Sequence, residues 1–429
     1  MLPLYNAALL PLRPAVELWS AWQSRDPERR TEWAERRARA LPVLNPGGVW
    51  LHGASVGEAG IVTGLARAIR ARHGNLPLAV SAYTTTGRAR LPAPPEIDAA
   101  FFVPLDFPAC VRRVLQAVQP SLFALVETEL WPNLMHEAQA AGVPIVVLNG
   151  RLSVRSMNRY RRLSRLLRPP LERLARVGAQ SQADAARFAE LGVPASVIEV
   201  TGNIKYDLSI PVGDGERWRR LLRLSPDRPV VVAGSTAAGE ESLILDAVDI
   251  ARRAHPELLL ILAPRYPLRA DDVAAQVQGR GWSMRRLSAG RDRDVSGLEV
   301  LLVDTVGDLA ALYGVASVAF VGGTLVPRGG HNVLEPAAHG VPVLYGPHTE
   351  SVTEPSETLE RAGGALRVAD SQELGRAISG LLEDEAERTG MGRRGRQVLE
   401  DNRGALERSM SVLQSVLDRR GVPAALSIP

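Results

Sequence analysis

Short apolar runs alternate with longer helical stretches along most of the chain, and this alternation begins at Val49. Six runs in the first half are typical of buried strands: Val49–His52, Leu78–Ala82, Ala100–Val103, Leu122–Val126, Ile145–Asn149 and Arg176–Gln180. Helical stretches lie between them, such as Ala59–Arg72, Ala109–Val118 and Asn133–Ala141. Strands that alternate with helices in this way predict a parallel sheet covered by helices on both faces.

The same pattern restarts after a polar passage marked by proline and glycine, Ile210-Pro211-Val212-Gly213-Asp214-Gly215. Five further apolar runs follow: Pro229–Ala233, Leu258–Leu262, Val300–Asp304, Ser317–Val321 and Val341–Tyr345. Because such a passage is typical of a linker, the chain is predicted to form two doubly wound α/β domains, residues 1–209 and 210–429. Two such domains place a ligand cleft between the carboxyl ends of their sheets. A last helical stretch, at about Gln397–Arg419, is able to cross back onto the first half.

The first 22 residues are rich in apolar side chains but are interrupted by Arg13, Glu17 and three prolines. A membrane-spanning helix needs about 20 consecutive apolar residues, and no small-residue cleavage site is present. Neither a spanning helix nor a secretory signal is therefore predicted. Two interpretations remain: a helix that lies in a bilayer interface, followed by the mixed-charge stretch Arg25–Arg39, or a helix packed on the protein's own surface.

The composition is that of a globular protein, with 429 residues, 45% hydrophobic and 23% charged, which is too long for one ordinary core. A net charge of +4 does not indicate nucleic acid as a partner. The arginine-rich run from Arg151 to Arg168 suits either a solvated helix or membrane phosphates. The single cysteine, Cys110, excludes an internal disulfide and a cysteine metal cluster. Asp292-Arg293-Asp294 has a DxD form but lies in a polar, arginine-flanked loop, and no metal site is predicted.

Lysine occurs once among the 51 basic residues, as Lys205 in the phrase Thr201-Gly202-Asn203-Ile204-Lys205-Tyr206-Asp207. The other 50 are arginine, which indicates a drift that replaced lysine wherever either cation would serve. An ammonium is a compact point charge, whereas a guanidinium is planar and rigid. We interpret Lys205 as a position that needs a point charge. The alternative is chance survival at a solvated site, which the flanking Gly, Asn and Asp of a shaped turn disfavour.

The phrase His52-Gly53-Ala54-Ser55-Val56-Gly57-Glu58 follows the first strand and opens a helix. Ser55 and Glu58 have the spacing of a capping box, in which Glu58 would only satisfy free amides at the helix start. The alternative is a general base at the carboxyl end of a strand, where such sheets bind ligands. A helix N-terminus favours the ionised carboxylate that a base requires. The residues alone leave both interpretations open.

Two carboxylates follow another buried strand in the phrase Glu127-Thr128-Glu129-Leu130-Trp131-Pro132-Asn133. Both cannot face apolar packing without a large cost in free energy. We predict that Glu127, nearer the strand, points into the cleft and that Glu129 caps the helix that Pro132 helps to begin. Thr84-Thr85-Thr86-Gly87 adds hydroxyl groups and a flexible loop suited to a polyol.

Loops at the strand ends of the second half carry groups suited to a nucleotide. They are Gly234-Ser235-Thr236, Ala263-Pro264-Arg265, Asp304-Thr305-Val306-Gly307-Asp308, Gly322-Gly323-Thr324 and Gly329-Gly330-His331-Asn332-Val333-Leu334-Glu335. Arg265 could make a bidentate contact with phosphate. Glycines permit close backbone approach, and a helix beginning near Asn332 presents free amides to a phosphate. Glu335 could accept hydrogen bonds from ribose hydroxyls; alternatively, Asn332 and Glu335 are only a capping pair.

Together these phrases resemble the 3-deoxy-D-manno-octulosonic acid (Kdo) transferases, the membrane-associated glycosyltransferases of lipid A assembly. The resemblance runs from Leu2 to about Arg419, nearly the whole chain. Its strongest parts are His52–Glu58, Glu127–Asn133, Gly202–Asp207, Ala263–Arg265 and Gly322–Glu335, continuing to Gly346-Pro347-His348. Those phrases in that order make the resemblance specific.

The resemblance implies a GT-B fold, in which two Rossmann-like domains face a central cleft. It implies an inverting transfer of Kdo from CMP-Kdo to a lipid A precursor, without a metal or another cofactor. The domain 1–209, with a membrane-facing N-terminal helix, would bind the acceptor, and the domain 210–429 would bind the CMP-sugar. The protein would lie at the cytoplasmic face of the inner membrane, as a peripheral or monotopic protein.

The resemblance also assigns roles to individual residues. Glu58 is the expected base, and Glu127 and Lys205 are expected to support the transition state. Contacts with CMP are expected from Pro264, Arg265, Val306, Gly307, Asp308, Asn332, Val333, Leu334 and Glu335, and the strand-end loops add Ser235 and Gly330 to the predicted nucleotide site. A donor with one phosphate carries less charge than a diphosphate, so cationic side chains and helix amides could neutralise it.

Two departures from the family pattern stand out. Asp308 stands where the family usually has glutamate, and this shorter side chain still accepts a hydrogen bond. After His348 the chain continues with Thr349-Glu350-Ser351-Val352-Thr353-Glu354 in place of an aromatic-Asn-aromatic phrase, which puts donor or acceptor contacts there in doubt. Two other functions stay open: another GT-B transferase or an epimerase that uses a UDP-sugar, and an inactive relative that serves as a membrane scaffold.

Overall fold

The chain forms two compact units in the computed structural model, which describes residues 1–208, 215–290 and 294–421. The first unit contains the chain up to Leu208 together with the chain from Arg403, and the second lies between Ser209 and Asn402. Residues 210–214 of the expected linker, and Asp292 and Arg293 of the DxD phrase, lie outside the described residues.

The first unit is built on a parallel sheet of seven strands. They are β1 Val49–His52, β2 Leu78–Ala82, β3 Ala99–Phe102, β4 Leu122–Val126, β5 Ile145–Gly150, β6 Arg176–Ala179 and β7 Ile198–Val200. Their order across the sheet is β3-β2-β1-β4-β5-β6-β7. The helices that precede, cover and connect them are α1 Leu2–Leu9, α2 Leu12–Gln23, α3 Pro27–Arg36, α4 Val56–Arg72, α5 Thr85–Arg88, α6 Pro108–Val118, α7 Pro132–Ala140, α8 Val154–Arg162, α9 Ser164–Leu171, α10 Gln182–Glu190 and α11 Lys205–Leu208.

The second unit repeats this plan with seven parallel strands of its own. They are β8 Val230–Thr236, β9 Leu259–Pro264, β10 Met284–Arg286, β11 Val300–Leu302, β12 Val318–Val321, β13 Val343–Tyr345 and β14 Ala365–Arg367, in the order β10-β11-β9-β8-β12-β13-β14. Its helices are α12 Gly215–Leu222, α13 Glu240–Arg252, α14 Ala270–Gly279, α15 Leu309–Leu312, α16 Leu334–Ala338, α17 Thr353–Arg361, α18 Ser371–Glu383 and α19 Glu385–Asp401. The predicted pair of doubly wound α/β sheets is therefore present.

Both faces of each sheet are buried, which explains the continuous apolar runs. On β1, Trp50 belongs to one core, where its ring centroid lies 4.3 Å from that of Phe123. The next residue, Leu51, belongs to a second core with Leu65. Successive side chains of a strand point to opposite faces, so a strand covered on both sides must be apolar throughout.

Three strands were missed by the sequence pattern: β7, β10 and β14. Each has three residues and lies at an edge of its sheet. Edge strands are often short and carry charged side chains, which discourage pairing with another chain. Their sequences Ile-Glu-Val, Met-Arg-Arg and Ala-Leu-Arg fit that role and lack the apolar run of a central strand.

The end of the chain forms two helices in place of the single helix predicted at about 397–419, and the second of them belongs to the first unit. Helix α19 ends at Asp401, and a second helix, α20 Ala405–Asp418, begins after Gly404, whose φ is +87°. Met410 and Leu413 of α20 are buried in the same core as Leu51. The second unit therefore ends near Asn402, because the apolar face of α20 is buried on the first sheet, which is the crossing back that the sequence analysis left open.

The N-terminal residues form two helices, α1 and α2, where one helix was expected. The Tyr5 hydroxyl donates to Asp106 at 3.0 Å, and Asn133 Nδ2 donates to Asn6 at 2.8 Å, so α1 is docked on the first unit. Leu18 and Trp22 nevertheless expose 74% and 60% of their surfaces. One side of this segment is thus packed on the protein while apolar side chains face outward. In the part of the chain that the structure describes, no helix has the length and apolar character needed to span a bilayer.

Candidate active site

Glu58 lies in the first turn of α4, directly after β1, and its carboxylate is held by the turn that precedes the helix. The Ser55 N–H and hydroxyl donate to Glu58 at 3.3 Å and 3.2 Å, and the Ala54 N–H also donates to it. The capping interpretation is therefore correct as a description of local structure. It does not exclude the catalytic one, because the same contacts fix the carboxylate at the carboxyl end of β1.

The electrostatic surroundings of Glu58 differ from the expectation. Burial, followed by repulsion from Glu127 and Glu129, raises its pKa to about 8, although the Ala54 and Ser55 N–H groups act in the opposite direction. The prediction that the helix start favours the ionised form of this carboxyl describes only the effect of the amides. The net shift of the pKa is upward, because desolvation and two neighbouring carboxylates outweigh those amides. A pKa near the working pH suits a general base, which must be both available and sufficiently basic.

Glu127 follows β4 and forms an ion pair with the only lysine. Its Oε1 lies 3.4 Å from Lys205 Nζ, which is an electrostatic contact longer than a hydrogen bond of good geometry. The φ of Glu127 is +59°, an uncommon conformation for a side chain of this kind. Strained backbone of this sort is concentrated at functional sites. The structure thus brings Glu58, Glu127 and Lys205 together as a cluster of two carboxyl groups and one ammonium group.

The turn that carries Lys205 is fixed by Asn149, which sequence reasoning missed, and by Asp207 of the turn itself. Asn149, at the end of β5 with a φ of +53°, accepts the Ile204 N–H at 2.9 Å. Asp207 accepts the N–H groups of Gly404 and Leu406 at 2.7 Å and 2.6 Å and so caps α20. Asn149 carried a usable signal, since Asn at a strand end tolerates positive φ, but its partner is distant in sequence.

The predicted capping role of Glu129 is wrong. Glu129 accepts the Trp131 Nε1–H at 2.8 Å, and the first amides of α7 go elsewhere. Asp106 accepts the Asn133 N–H at 3.1 Å and the Leu134 N–H at 2.8 Å. Asp106 lies in the loop after β3, on a different strand end, so local spacing could not identify it. Glu129 instead adds negative charge beside Glu58.

The threonine loop after β2 packs against the turn that holds Glu58. Thr84 caps α5 by accepting the Gly87 N–H at 3.0 Å, and the Thr84 N–H donates to the Ala54 carbonyl at 2.9 Å. A Cβ on Gly87 would lie 3.1 Å from the Ser55 carbonyl carbon. The expected hydroxyl-bearing loop is thus adjacent to the Glu58 turn, and glycine at 87 allows this close approach.

In the second unit, the loops after β9 and before α16 carry opposite charges that act on each other. The pKa of Glu335 is raised, because burial outweighs the hydrogen bond from Asn332 and the positive charge of Arg265, which both act to lower it. The Arg265 N–H donates to the Thr236 carbonyl at 2.9 Å. This bond joins the end of β8, at Thr236, to the residue that directly follows β9. Arg265 and Glu335 therefore lie close enough to interact electrostatically, while their contact with a nucleotide stays a prediction.

The expected helix start near Asn332 needs correction. Helix α16 begins at Leu334, has five residues, and has Val333 as its N-cap. Asn332 accepts the Leu334 N–H at 3.1 Å and donates to Glu335 at 3.2 Å, so the capping alternative describes this pair. One amide of the helix start is thereby used, and a short helix offers a weak dipole to a phosphate.

The remaining predicted nucleotide residues lie on neighbouring loops of the second sheet. Ser235, with a φ of +55°, lies at the end of β8, and a Cβ on Gly322 would lie 2.6 Å from its carbonyl oxygen. Gly330 is fixed by its N–H, which donates to the Gly323 carbonyl at 2.8 Å. In the loop after β11, Val306 is exposed, Gly307 has a φ of +95°, and Asp308 accepts the Thr305 hydroxyl.

The segment after His348, where the chain departs from the family pattern, is joined to the glycine loop. The Ser351 N–H donates to the Gly329 carbonyl at 2.8 Å, and the His348 N–H donates to the Thr324 carbonyl at 2.9 Å. A Cβ on Gly329 would lie 2.6 Å from Ser351 Oγ. The atypical residues therefore support the loop that carries Gly330.

Two buried glutamates at the start of α13 escaped sequence reasoning. Glu241 pairs with Arg269, through Oε1 at 2.7 Å and Oε2 at 3.1 Å, and accepts the Thr236 hydroxyl at 3.0 Å. Glu240 accepts backbone N–H groups from two loops. Acidic residues in the first turn of a helix suggest only capping, so their burial had no signal in the sequence. Within the described residues, no three His, Cys, Asp or Glu side chains are grouped to hold a metal ion.

Comparison with known proteins identifies the family. Residues 28–208 match the family model for 3-deoxy-D-manno-octulosonic-acid transferase (kdotransferase). The chain is 36% identical to the 3-deoxy-D-manno-octulosonic acid transferase of Haemophilus influenzae, over 97% of this chain and 98% of that one. This chain belongs to the Kdo transferase family. The enzyme of the same name from Bordetella pertussis is 34% identical, over 96% and 99% of the two chains.

Solved structures confirm the GT-B fold class. Anabaena HepE in complex with UDP has a TM-score of 0.57 at 17% identity, covering 87% of this chain and all of that one. A UDP-GlcNAc 2-epimerase from Neisseria meningitidis bound to UDP-GlcNAc also has a TM-score of 0.57, at 12% identity, covering 86% and 100%. At these identities only the fold is shared. As a Kdo transferase, the protein is a glycosyltransferase of lipopolysaccharide biosynthesis.

The raised pKa of Glu58 predicts that kcat/KM of this Kdo transferase increases with pH through about 8. If Glu58 is the general base, it must be deprotonated to accept a proton, so activity is expected to be low where Glu58 is protonated and to reach a plateau above its pKa. Glu129→Gln removes one repelling charge and should shift the midpoint to lower pH. Glu35→Gln is the matched control, since this buried glutamate also has a raised pKa and accepts the Phe102 N–H at 2.7 Å. A midpoint that Glu129→Gln leaves unchanged contradicts the assignment.

Proposed function

We propose that this enzyme transfers Kdo from CMP-Kdo to a hydroxyl group of a lipid A precursor, with Glu58 as the general base. The observation that carries the proposal is the grouping of a carboxyl of raised pKa, Glu58, with the Glu127–Lys205 ion pair. Deprotonated Glu58 accepts the hydroxyl proton, and the hydroxyl oxygen bonds to the anomeric carbon of Kdo. The bond from that carbon to the CMP oxygen breaks, and its electron pair leaves with CMP. A single displacement of this kind inverts the anomeric configuration.

Glu127 and Lys205 support the transition state electrostatically. As the bond to CMP breaks, the sugar ring gains positive charge, which the Glu127 carboxylate stabilises. Lys205 Nζ, 3.4 Å from Glu127 Oε1, holds that carboxylate and adds a positive charge for anionic groups of the substrates. Charges fixed before the reaction stabilise a transition state without the cost of reorientation.

The donor nucleotide belongs to the second unit in this proposal. Arg265 supplies a guanidinium for the single phosphate of CMP, and Glu335, beside it, accepts ribose hydroxyls. Val306, 85% exposed, offers an apolar surface to the cytosine ring. Because one phosphate carries less charge than a diphosphate, these side chains suffice for a reaction without a metal.

The acceptor is a lipid, and the outward-facing apolar side chains of α1 and α2 suit a bilayer interface. Leu4 exposes 66% of its surface and Leu18 exposes 74%. Amphipathic helices of this kind lie in the headgroup region, and exposed arginines on α8, such as Arg162, attract anionic lipids. We therefore place the enzyme at the cytoplasmic face of the inner membrane as a peripheral protein. Flotation with anionic and with zwitterionic vesicles tests this, since stronger binding to the anionic vesicles is expected.

Nucleotide specificity tests the donor assignment. We expect CMP to raise the melting temperature of the protein and UDP at the same concentration to have little effect, since a ligand that binds only the folded state stabilises it by about 2.7 kcal/mol at 100 times its Kd. Arg265→Met should abolish protection by CMP. Arg280→Met, which removes a cation paired with Asp246 and Asp249, is the matched control and should retain protection. Protection by UDP but not by CMP would instead indicate a UDP-sugar enzyme.

A further inference from the structure

Glu240, the first residue of α13, is a fully buried carboxylate that accepts hydrogen bonds from four backbone amides. Its side chain has a relative exposure of 0%. Oε1 accepts the N–H groups of Thr324 and Leu325, each at 2.8 Å. Oε2 accepts those of Ala237 at 2.8 Å and Gly323 at 2.6 Å. A carboxylate has about four acceptor positions, and four amide donors occupy them here.

These four amides come from two loops at neighbouring strand ends. Ala237 follows β8, and Gly323–Leu325 follows β12, which pairs directly with β8 through Val321 and Gly234. The Gly322 N–H donates to the Gly234 carbonyl at 2.8 Å, so the two loops leave the sheet side by side. Glu240 therefore joins the ends of the two strands beyond the last backbone pair of the sheet.

The loop after β12 in turn fixes a predicted nucleotide residue. The Gly323 carbonyl accepts the Gly330 N–H at 2.8 Å. The Thr324 hydroxyl accepts the Gly346 N–H at 2.8 Å, and its carbonyl accepts the His348 N–H at 2.9 Å. Gly330 and the start of the segment after β13 are therefore fixed by Gly323 and Thr324, two of the three residues after β12 whose amides Glu240 accepts.

We infer that Glu240 is a positioning residue of the donor site, which fixes the loops that carry Ser235 and Gly330. This inference rests on the proposed function, since it takes the donor to bind at those loops. It also changes the role of the glycines after β12. The amides of Gly323, Thr324 and Leu325 are occupied by a buried carboxylate, so they organise the loop and leave phosphate binding to Arg265.

The test compares Glu240→Gln with the wild-type chain and with Glu373→Gln. Glu373 also lies in the first turn of a helix of the second unit, α18, and accepts a backbone N–H, that of Ala369 at 2.7 Å. A glutamine at 240 retains one acceptor oxygen but turns an amide group toward two N–H donors. Glu240→Asp, which keeps the charge but shortens the side chain, is the second variant if Glu240→Gln does not fold. For each folded protein, hydrogen exchange of residues 322–326, the Kd for CMP, and KM for donor and acceptor are measured.

We expect faster exchange at 323–325 and an increase of about tenfold or more in the Kd for CMP and in the donor KM of the Glu240 variant, which corresponds to 1.4 kcal/mol or more. The acceptor KM and the pH midpoint set by Glu58 should not change, and Glu373→Gln should bind CMP normally. The inference would be overturned if hydrogen exchange at residues 323–325 of the Glu240 variant were unchanged, or if that exchange were faster while the Kd for CMP stayed the same. A wild-type chain that does not bind CMP would contradict the proposed function itself and, with it, a donor role for these loops.

Discussion

Replacing Glu58 by glutamine is expected to lower kcat for Kdo transfer by about 10²–10⁴-fold, the range typical of a lost general base. Glutamine has nearly the same shape, so the Ser55 hydroxyl and the turn before α4 still have an acceptor oxygen. It cannot accept a proton from the acceptor hydroxyl. The Kd for CMP should stay within about twofold, since the predicted nucleotide residues are on the second unit. Single-turnover kinetics and calorimetry with CMP measure these two quantities.

The control for this variant is Glu35→Gln, because both glutamates are shielded from solvent, Glu35 almost fully and Glu58 in part, accept a backbone N–H and have raised pKa values. Glu35→Gln removes the same kind of group from α3 and should reduce stability without a comparable effect on kcat. If Glu58→Gln transfers Kdo at the wild-type rate, Glu58 is only a helix cap. Equal losses of kcat in both variants would indicate a general effect of removing a buried carboxylate.

Replacing Lys205 by methionine is expected to lower kcat by about 10²–10³-fold, as for a lost electrostatic group of an active site. The change leaves the Glu127 carboxylate without the ammonium that lies 3.4 Å away. Lys205→Arg should restore little of this activity although it keeps the charge. The turn is fixed by Asn149 through Ile204, so it cannot easily shift to seat a planar guanidinium in place of a point charge. Initial rates at saturating donor and acceptor measure the effect.

Arg161→Lys provides the reciprocal control. Arg161 forms an ion pair with Glu190 on the surface, and exposed pairs contribute only about 0–1 kcal/mol, so exchange of the cation there should leave kcat unchanged. A near-wild-type rate for Lys205→Arg would contradict the interpretation that this position needs lysine. The retention of one lysine among 51 basic residues would then be chance.

Much of the fold follows from apolar runs, for a physical reason. A strand that is covered on both faces must be apolar at every position, as Val49–His52 and Leu122–Val126 are. The short edge strands β7, β10 and β14 lack this signal because each carries a charged side chain, whereas the edge strand β3 is apolar throughout and was recognised. The sequence indicated only that the last helical stretch could cross back onto the first half, because burial of Met410 in the same core as Leu51 joins residues that are about 360 positions apart. Long-range contacts of this kind leave no mark on local periodicity.

The site was predicted as a set of residues but not as a set of interactions. The phrases around Glu58, Glu127 and Lys205 identified the groups, and the structure brings these three together. The sign of the pKa shift of Glu58 depends on burial and on two other carboxylates, which a helix-terminus argument does not contain. The first amides of α7 donate to Asp106, in the loop after β3, and not to Glu129. Local spacing could not identify Asp106 because it lies on a different loop. Glu240 was missed because three of its four amide partners are more than 80 residues away in sequence and are brought to it by the pairing of β8 with β12.

The most direct measurement is the product mass after incubation of the protein with freshly generated CMP-Kdo and a tetraacylated disaccharide precursor, with EDTA present. We predict that the acceptor mass increases by one or more Kdo residues and that one CMP is released for each Kdo transferred. Glu58→Gln should give no product in the same time. An unchanged acceptor mass with wild-type protein that binds CMP, or equal product from Glu58→Gln, would contradict the account.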